Sequence, residues 1–295
     1  MAESIPVIQR KIDSATDLKS VVRTMKAMAA ANISQYEQAV LALDDYYMTL
    51  ELALTATLKQ QTTQQHRYQR QKTPQFIGVI VLGSDQGLVG QFNDQLAEFT
   101  NSALAKINGK KRIWAVGERI RPLLTGDSLQ FGQTFALPDS IHAISPFISA
   151  MLSEIQTLQE TGALEHVYLF NNTPIANARY RCQMQPLLPL DKQWQQQLAT
   201  KPWPGRCLPQ LLNDPSLTVA KLQSEFLFIS LFRACAHSLA SENASRLLGM
   251  QRAEKNIDEL QTELKQHFHH LRQSGIDNEL FDLIGGFEAL HTERN

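Results

Sequence analysis

Glycine and proline are almost missing from the two ends of this sequence. Neither occurs between Val7 and Thr73, and after Pro215 there is no further proline, with only Gly249, Gly275, Gly285 and Gly286 as breakers. These residues punctuate helices, so their absence marks two long helix-permissive segments around a differently built middle. Charge of one sign is also lacking: 28 Lys and Arg stand against 29 Asp and Glu. That balance excludes the basic excess of a general nucleic-acid binder, and no nucleic-acid partner is expected. Cysteine is scarce. Cys182, Cys207 and Cys235 lie far apart with no CxxC pair, which excludes a disulfide scaffold and fits buried thiols in a reducing compartment. No apolar run reaches the roughly 18 residues of a spanning helix: Phe76 to Leu82 is too short, and Phe226 to Leu239 is broken by Arg233. The first residues lack a basic stretch followed by an apolar one, so neither a signal nor a transit peptide is expected. The chain is expected to be soluble and to dock on something that is not.

What is present at the ends is helical periodicity. Ile8, Ala15, Leu18, Val22, Met25, Ala29, Tyr36, Ala39, Leu43, Tyr46, Leu50 and Ala53 follow alternating steps of three and four, with Lys11 and Asn32 as polar exceptions. That is a heptad seam. A second seam follows Asp214, a candidate N-cap, and Pro215 at the first helical position. It runs through Phe226, Ile229, Ala236, Ala240, Leu247, Met250, Ile257, Leu264, Phe268 and Leu271, interrupted by Arg233, Asn243 and Glu254. A lone seam cannot be buried by itself, and the economical partner of each is the other. Antiparallel pairing uses up the first helix opposite the region around His270. It leaves about 20 residues, roughly 30 Å if helical, with an apolar face that requires a socket in another protein or a fold-back.

The middle alternates. Phe76 to Leu82 reads as a buried strand, Asp94 to Ile107 as a helix, Ile113 to Gly117 as a strand, Ile144 to Gln159 as a helix, His166 to Phe170 as a strand, and Arg179 to Leu190 as extended chain. Residues 191 to 213, with three prolines, read as a loop. The glycine-rich loop GSDQGLVGQFN after the first strand invites a nucleotide, yet it carries no G-x-x-x-x-G-K-[ST], no G-x-G-x-x-G and no G-x-S-x-G. Turn glycines are its simplest reading, with a ligand or partner contact as the other. His267, His269 and His270 do not share one helix face and lack spaced Cys or carboxylate companions, so no metal is expected. Asp44 and Asp45 diverge around a helix. No catalytic residue and no cofactor is indicated.

Several stretches resemble the gamma subunit of F-type ATP synthases. IDSATDLKSVVRTMKAMAAAN aligns without gaps to the N-terminal family pattern, with Ile12, Ser14, Val21, Met25, Lys26, Ala29 and Ala30 on family positions. SDQGLVGQFN resembles the family's SDRGLCGGFN through Ser84, Asp85, Gly87, Leu88, Gly90, Phe92 and Asn93, and Leu187, Leu188 and Pro189 resemble a family LLP. At the C-terminal end Arg272, Gln273, Ile276, Glu279, Leu280, Ile284, Gly285, Gly286, Glu288, Ala289 and Leu290 coincide. Gln86, Val89, Gln91, Asn32, Asn243 and Asp277 depart from the pattern, as in a divergent, sodium-translocating branch.

The resemblance implies an α/β fold class: a long antiparallel coiled coil of N- and C-terminal helices (1–65 and 214–295) plus a central Rossmann-like α/β foot domain (74–213). It implies a non-catalytic central shaft inside three alpha and three beta subunits, resting with epsilon on the membrane c-ring at the cytoplasmic face of a bacterial plasma membrane. Met25 and Lys26 would face the moving beta-subunit lever. Arg272 and Gln273 would form a polar catch on a beta-subunit loop, with Asp277 altering its hydrogen-bond set. Leu280, Leu283, Ile284 and Leu290 would be the apolar tip, and Ser84, Asp85, Gly87, Gly90 and Asn93 part of the foot. A non-rotary coiled-coil scaffold and a small-ligand α/β enzyme with helical arms are the competing readings.

Overall fold

The computed structural model describes residues 4–60, 75–126, 129–175, 179–189, 192–212 and 214–292. The elements are α1 (Ile5–Gln60), β1 (Phe76–Leu82), α2 (Phe92–Ala105), β2 (Lys111–Val116), a 3-10 turn (Arg121–Leu123), β3 (Leu129–Phe131), α3 (Ile141–Glu160), β4 (Leu164–Ile175), β5 (Arg179–Leu188), α4 (Lys192–Thr200) and α5 (Pro215–Thr292). They form two compact units, residues 29–246 and residues 1–28 with 247–295.

In the larger unit the described strands make one five-stranded sheet in the order β3-β2-β1-β4-β5. β1 is parallel to β2 and β4, β2 is parallel to β3, and β5 returns antiparallel to β4. Helices cover both faces, which is why FIGVIVL is continuously apolar rather than alternating. Val79, Val81, Ile113, Ala115 and Phe170 point to a core with Leu96, Ala97 and Leu104 of α2. Their neighbours Ile80, Leu82, Trp114, Val116 and Leu169 point the other way, into a core with Ile144, Ile148, Met151 and Ile155 of α3 and with Tyr36, Val40, Leu231, Cys235 and Leu239 of the long helices.

The long helices run antiparallel in each unit. In the larger one Asn32 meets Asn243, Asp44 meets Arg233 (3.3 Å) and Tyr46 meets Glu225 (2.8 Å). In the smaller one Thr16 meets Gln261 (2.9 Å), Lys19 meets Asp258, and Arg23 and Lys26 share Glu254. The polar residues that interrupt the apolar seams therefore include Asn32, Arg233, Asn243 and Glu254, each paired. Pro215 opens α5, and the Asp214 carboxylate accepts the Leu217 N–H at 3.3 Å, as an N-cap should.

Several expectations shift. Leu18 and Tyr46 are 53% and 46% exposed. The seam keeps Ile8, Ala15, Val22, Ala29 and Tyr36, while the row four residues on supplies buried Val40 and Leu54 and the half-buried Lys19 and Lys26. Both i+3 and i+4 rows of a 3.6-residue helix border such a stripe, and the partner's side chains decide between them. Residues 192–200, read as loop, form α4, which packs Leu198 against Leu50, Leu54 and Ile229. The helix expected from Asp94 starts two residues earlier, at Phe92, and the one expected from Ile144 starts at Ile141, placing Pro146 within its second turn. Within the extended chain expected from Arg179, β5 runs to Leu188, and Leu190 lies outside the described residues. Positions 1–3, 61–65 and 293–295 of the expected terminal helices lie outside the described residues.

Candidate functional site

The loop after β1 spends its polar atoms on itself. Ser84 is fully buried; its N–H donates to Asn93 Oδ1 (3.0 Å), its hydroxyl donates to the Gln86 carbonyl (3.0 Å), and that hydroxyl accepts from Asn93 Nδ2 (2.8 Å). Asp85 accepts the N–H groups of Glu118 (2.8 Å) and Leu137 (3.0 Å). Glycine is required at Gly117, where φ is +94° and a Cβ would stand 2.8 Å from the Ser84 backbone. Leu88 (φ 63°) and Gly90 (φ 58°) are both left-handed. Gly87 is half-buried, whereas Gln86, Leu88, Gly90 and Gln91 are exposed. The matching residues Ser84, Asp85 and Asn93 thus hold the loop's shape, and its reachable surface is shared by the matching Leu88 and Gly90 and the departing Gln86 and Gln91.

Open α/β sheets bind ligands where the strand order reverses, outside the carboxyl ends of the strands. Here that point lies between β1 and β4, and α5 fills it. The Ser238 hydroxyl donates to the Leu82 carbonyl at the end of β1 (3.1 Å), and Ser245 donates to the Val89 carbonyl of the loop (2.6 Å). Ser241, between them, donates to its own helix at His237 (2.8 Å) and lies at 3.4 Å from the Asn172 carbonyl of β4. Buried Glu242 meets Arg246 at 2.5 Å. Burial pushes the Glu242 carboxyl up, opposed by Arg246 and reinforced by Asp85. A cavity of about 690 Å³ opens elsewhere, among Asn101, Asn108, Lys110, Lys111 and Thr125, and includes no residue nominated from the sequence. Among the described residues no group of three or more His, Cys, Asp and Glu is arranged to hold a metal ion.

In the smaller unit, Met25 is half-buried against Ala15, Val22, Met250, Ala253 and Ile257. Lys26 is committed to Glu254, which Arg23 also contacts at 2.8 Å. These two donors hold the Glu254 carboxyl down at about 2, Lys26 contributing most and Arg23 next. Further along α5, Arg272, Gln273 and Asp277 are exposed. Leu280, Leu283 and Ile284 are exposed too, at 53%, 72% and 47%. Leu290 lies on the α5 backbone, and its side chain lies outside the described residues. Of the nominated residues, Ser84, Asp85, Gly87, Gly90 and Asn93 belong to the larger unit and the others to the smaller one.

Sequence reasoning missed part of the exposed apolar area. Ile276 and Phe281 stand out beside the nominated leucines, and Leu18, Val21 and Met28 are exposed on α1. Positions 18, 21, 25 and 28 follow helical spacing with Met25, a stripe visible in the sequence once Leu18 is taken out of the seam.

A family model described as ATP synthase matches residues 4–290. The ATP synthase gamma chain of Desulfitobacterium hafniense is 25% identical over 96% of this chain and 98% of its own length. Among solved structures, a chain of the Euglena gracilis mitochondrial ATP synthase, in an assembly of OSCP, F1 and c-ring, superposes with a TM-score of 0.64. It has 16% identity and covers 99% of this chain and 96% of that one. A chain of the Tetrahymena thermophila mitochondrial ATP synthase central stalk and c-ring superposes with a TM-score of 0.52 and 19% identity, over 79% of this chain and 99% of that one. At these identities the structural likeness is one of fold. With the family model spanning both long helices and the sheet between them, the chain belongs to the ATP synthase gamma-subunit family.

Proposed function

We propose that this chain is the central rotor shaft of a rotary ATP synthase and couples ion flow through a membrane c-ring to ATP synthesis or hydrolysis on alpha and beta subunits. One observation carries this reading: an antiparallel helix pair in which α5 continues with exposed Ile276, Leu280, Phe281, Leu283 and Ile284, a cluster of large apolar side chains of the kind that marks a protein contact. A non-catalytic role suits the α/β domain, whose ligand crevice is occupied by the chain's own helix.

The shaft biases chemically equivalent sites into different states through differential contact alone. In this reading residues 1–65 and 214–295 are the coiled coil and 74–213 the foot. Met25, Arg272, Gln273, Asp277, Leu280, Leu283, Ile284 and Leu290 contact the ring of three alpha and three beta subunits. Lys26 acts through its clasp on Glu254. The foot, including the loop from Ser84 to Asn93, rests with epsilon on the c-ring, and the coupling ion is a proton or sodium. No described helix is long and apolar enough to cross a membrane, which suits peripheral attachment at the cytoplasmic face of a bacterial plasma membrane.

Co-expression with alpha and beta subunits tests the assignment. A complex of three alpha, three beta and one copy of this chain is expected by native mass spectrometry; folded partners that assemble without it would refute the rotor role.

A further inference from the structure

Helix α5 buries Leu231, Phe232, Cys235 and Leu239 in the core it shares with the sheet and α3, with Ala234, Ala236 and Ala240 among them. Apolar packing of this kind is non-directional. Directional bonds fix the helix more sharply, and two are present at the loop after β1. Ser238 grips the Leu82 carbonyl where β1 ends, and Ser245 grips the Val89 carbonyl where the loop turns into α2. The two serines are seven residues apart, about two turns along one face. They therefore straddle the loop from Gly83 to Leu88. That loop is braced in turn by the Ser84–Asn93 exchange and by the two backbone bonds of Asp85. Val89 lies between the left-handed residues Leu88 and Gly90, and its carbonyl receives Ser245. Ser238 is 2% exposed, so water does not compete for its bond.

We infer that Ser238 and Ser245 key α5 to the braced β1–α2 loop and bear the torsional load between the sheet and the helix, so that the sheet cannot turn without turning α5. This rests on the rotor reading. The serines are positioning residues, since they touch no substrate. Ser241, whose shorter bond is to its own helix, contributes less.

The test is a Ser238→Ala/Ser245→Ala double variant in the assembled complex, reconstituted in vesicles with its membrane ring. Ion pumping per ATP hydrolysed is expected to fall about threefold or more, because both directional contacts are lost. Ser245→Thr, which keeps the hydroxyl, is expected to retain the parent ratio. An unchanged ratio in the double variant would overturn the joint. Should the double variant not assemble, each single alanine variant is expected to lower the ratio by a smaller factor, and a parent ratio in both would overturn it equally.

Amide exchange in the isolated full chain separates this from a failure of the rotor reading. The double variant is expected to speed exchange over residues 83–93 about tenfold while β2 keeps its protection. Equal loosening of β2 would mark plain destabilisation and refute the joint, whereas a parent chain that never assembles with alpha and beta would refute only the rotor role.

Discussion

Glu254 shows how a seam can be held by charge where it lacks apolar side chains. It sits at a position where a heptad would place a hydrophobe, and Lys26 and Arg23 meet it from the facing helix. The folded pKa of about 2 lies below the ordinary value of 4.5. The carboxyl's contribution is therefore complete above pH 4.5 and is lost as pH falls through 2, so acid weakens the clasp. Because the pair lies at the surface, salt screens it. A carboxyl titration of Glu254 by NMR in the full chain is expected to give a midpoint near 2. Lys26→Ala removes the largest cause and should move that midpoint up toward 4.5. A parent midpoint already at the ordinary value would show that the clasp does not form in solution.

At the scale of elements, legibility followed the length of the repeating signal. The long helices were readable because their apolar residues recur over many turns without a breaker, and β1 because five of its seven residues are buried. α4 was not: nine residues give two and a half turns, and one buried leucine, Leu198, sets no period. β3, three residues at the sheet edge, leaves even less trace. Burial of most of α5 between Ile229 and Arg246, with Arg233, His237 and Ser245 half-buried, was hidden by its serines and ions, whose partners the sequence does not show. The loop after β1 was legible as a special turn, but not the inward direction of its polar atoms, since that depends on Glu118, Leu137 and Asn93. α4 also makes a local prediction. Leu198→Ala removes the buried anchor, a change that costs about 2–5 kcal/mol in a core that cannot relax. A short helix can open without the rest, so the loss should appear as faster amide exchange in α4 with the sheet unaffected. Uniform loosening of the sheet would show that α4 is part of the main folding unit.

For the molecule as a whole, the exposed end of α5 separates folding from assembly. Leu280 and Leu283 are more than half exposed, so making them polar removes little that the isolated chain buries. Leu280→Glu with Leu283→Glu should leave its thermal melting midpoint where it was. In a socket formed by alpha and beta subunits the same side chains would lose contact with water. Burying one leucine stabilises by about 1.5–3 kcal/mol, and a carboxylate forced into that place is costly. Two such losses correspond to an affinity lower by about two orders of magnitude or more. Titrating the variant into preformed alpha and beta subunits, with assembly read by size-exclusion chromatography, measures that loss. Unimpaired assembly would mean that the apolar end meets no socket and that the grip on the shaft lies elsewhere along the helices. A fall in the melting point of the isolated chain would mean that this end is already covered by the chain itself. The expected combination, an unchanged fold with lost assembly, is one that neither a free-standing scaffold nor a small-ligand enzyme would give.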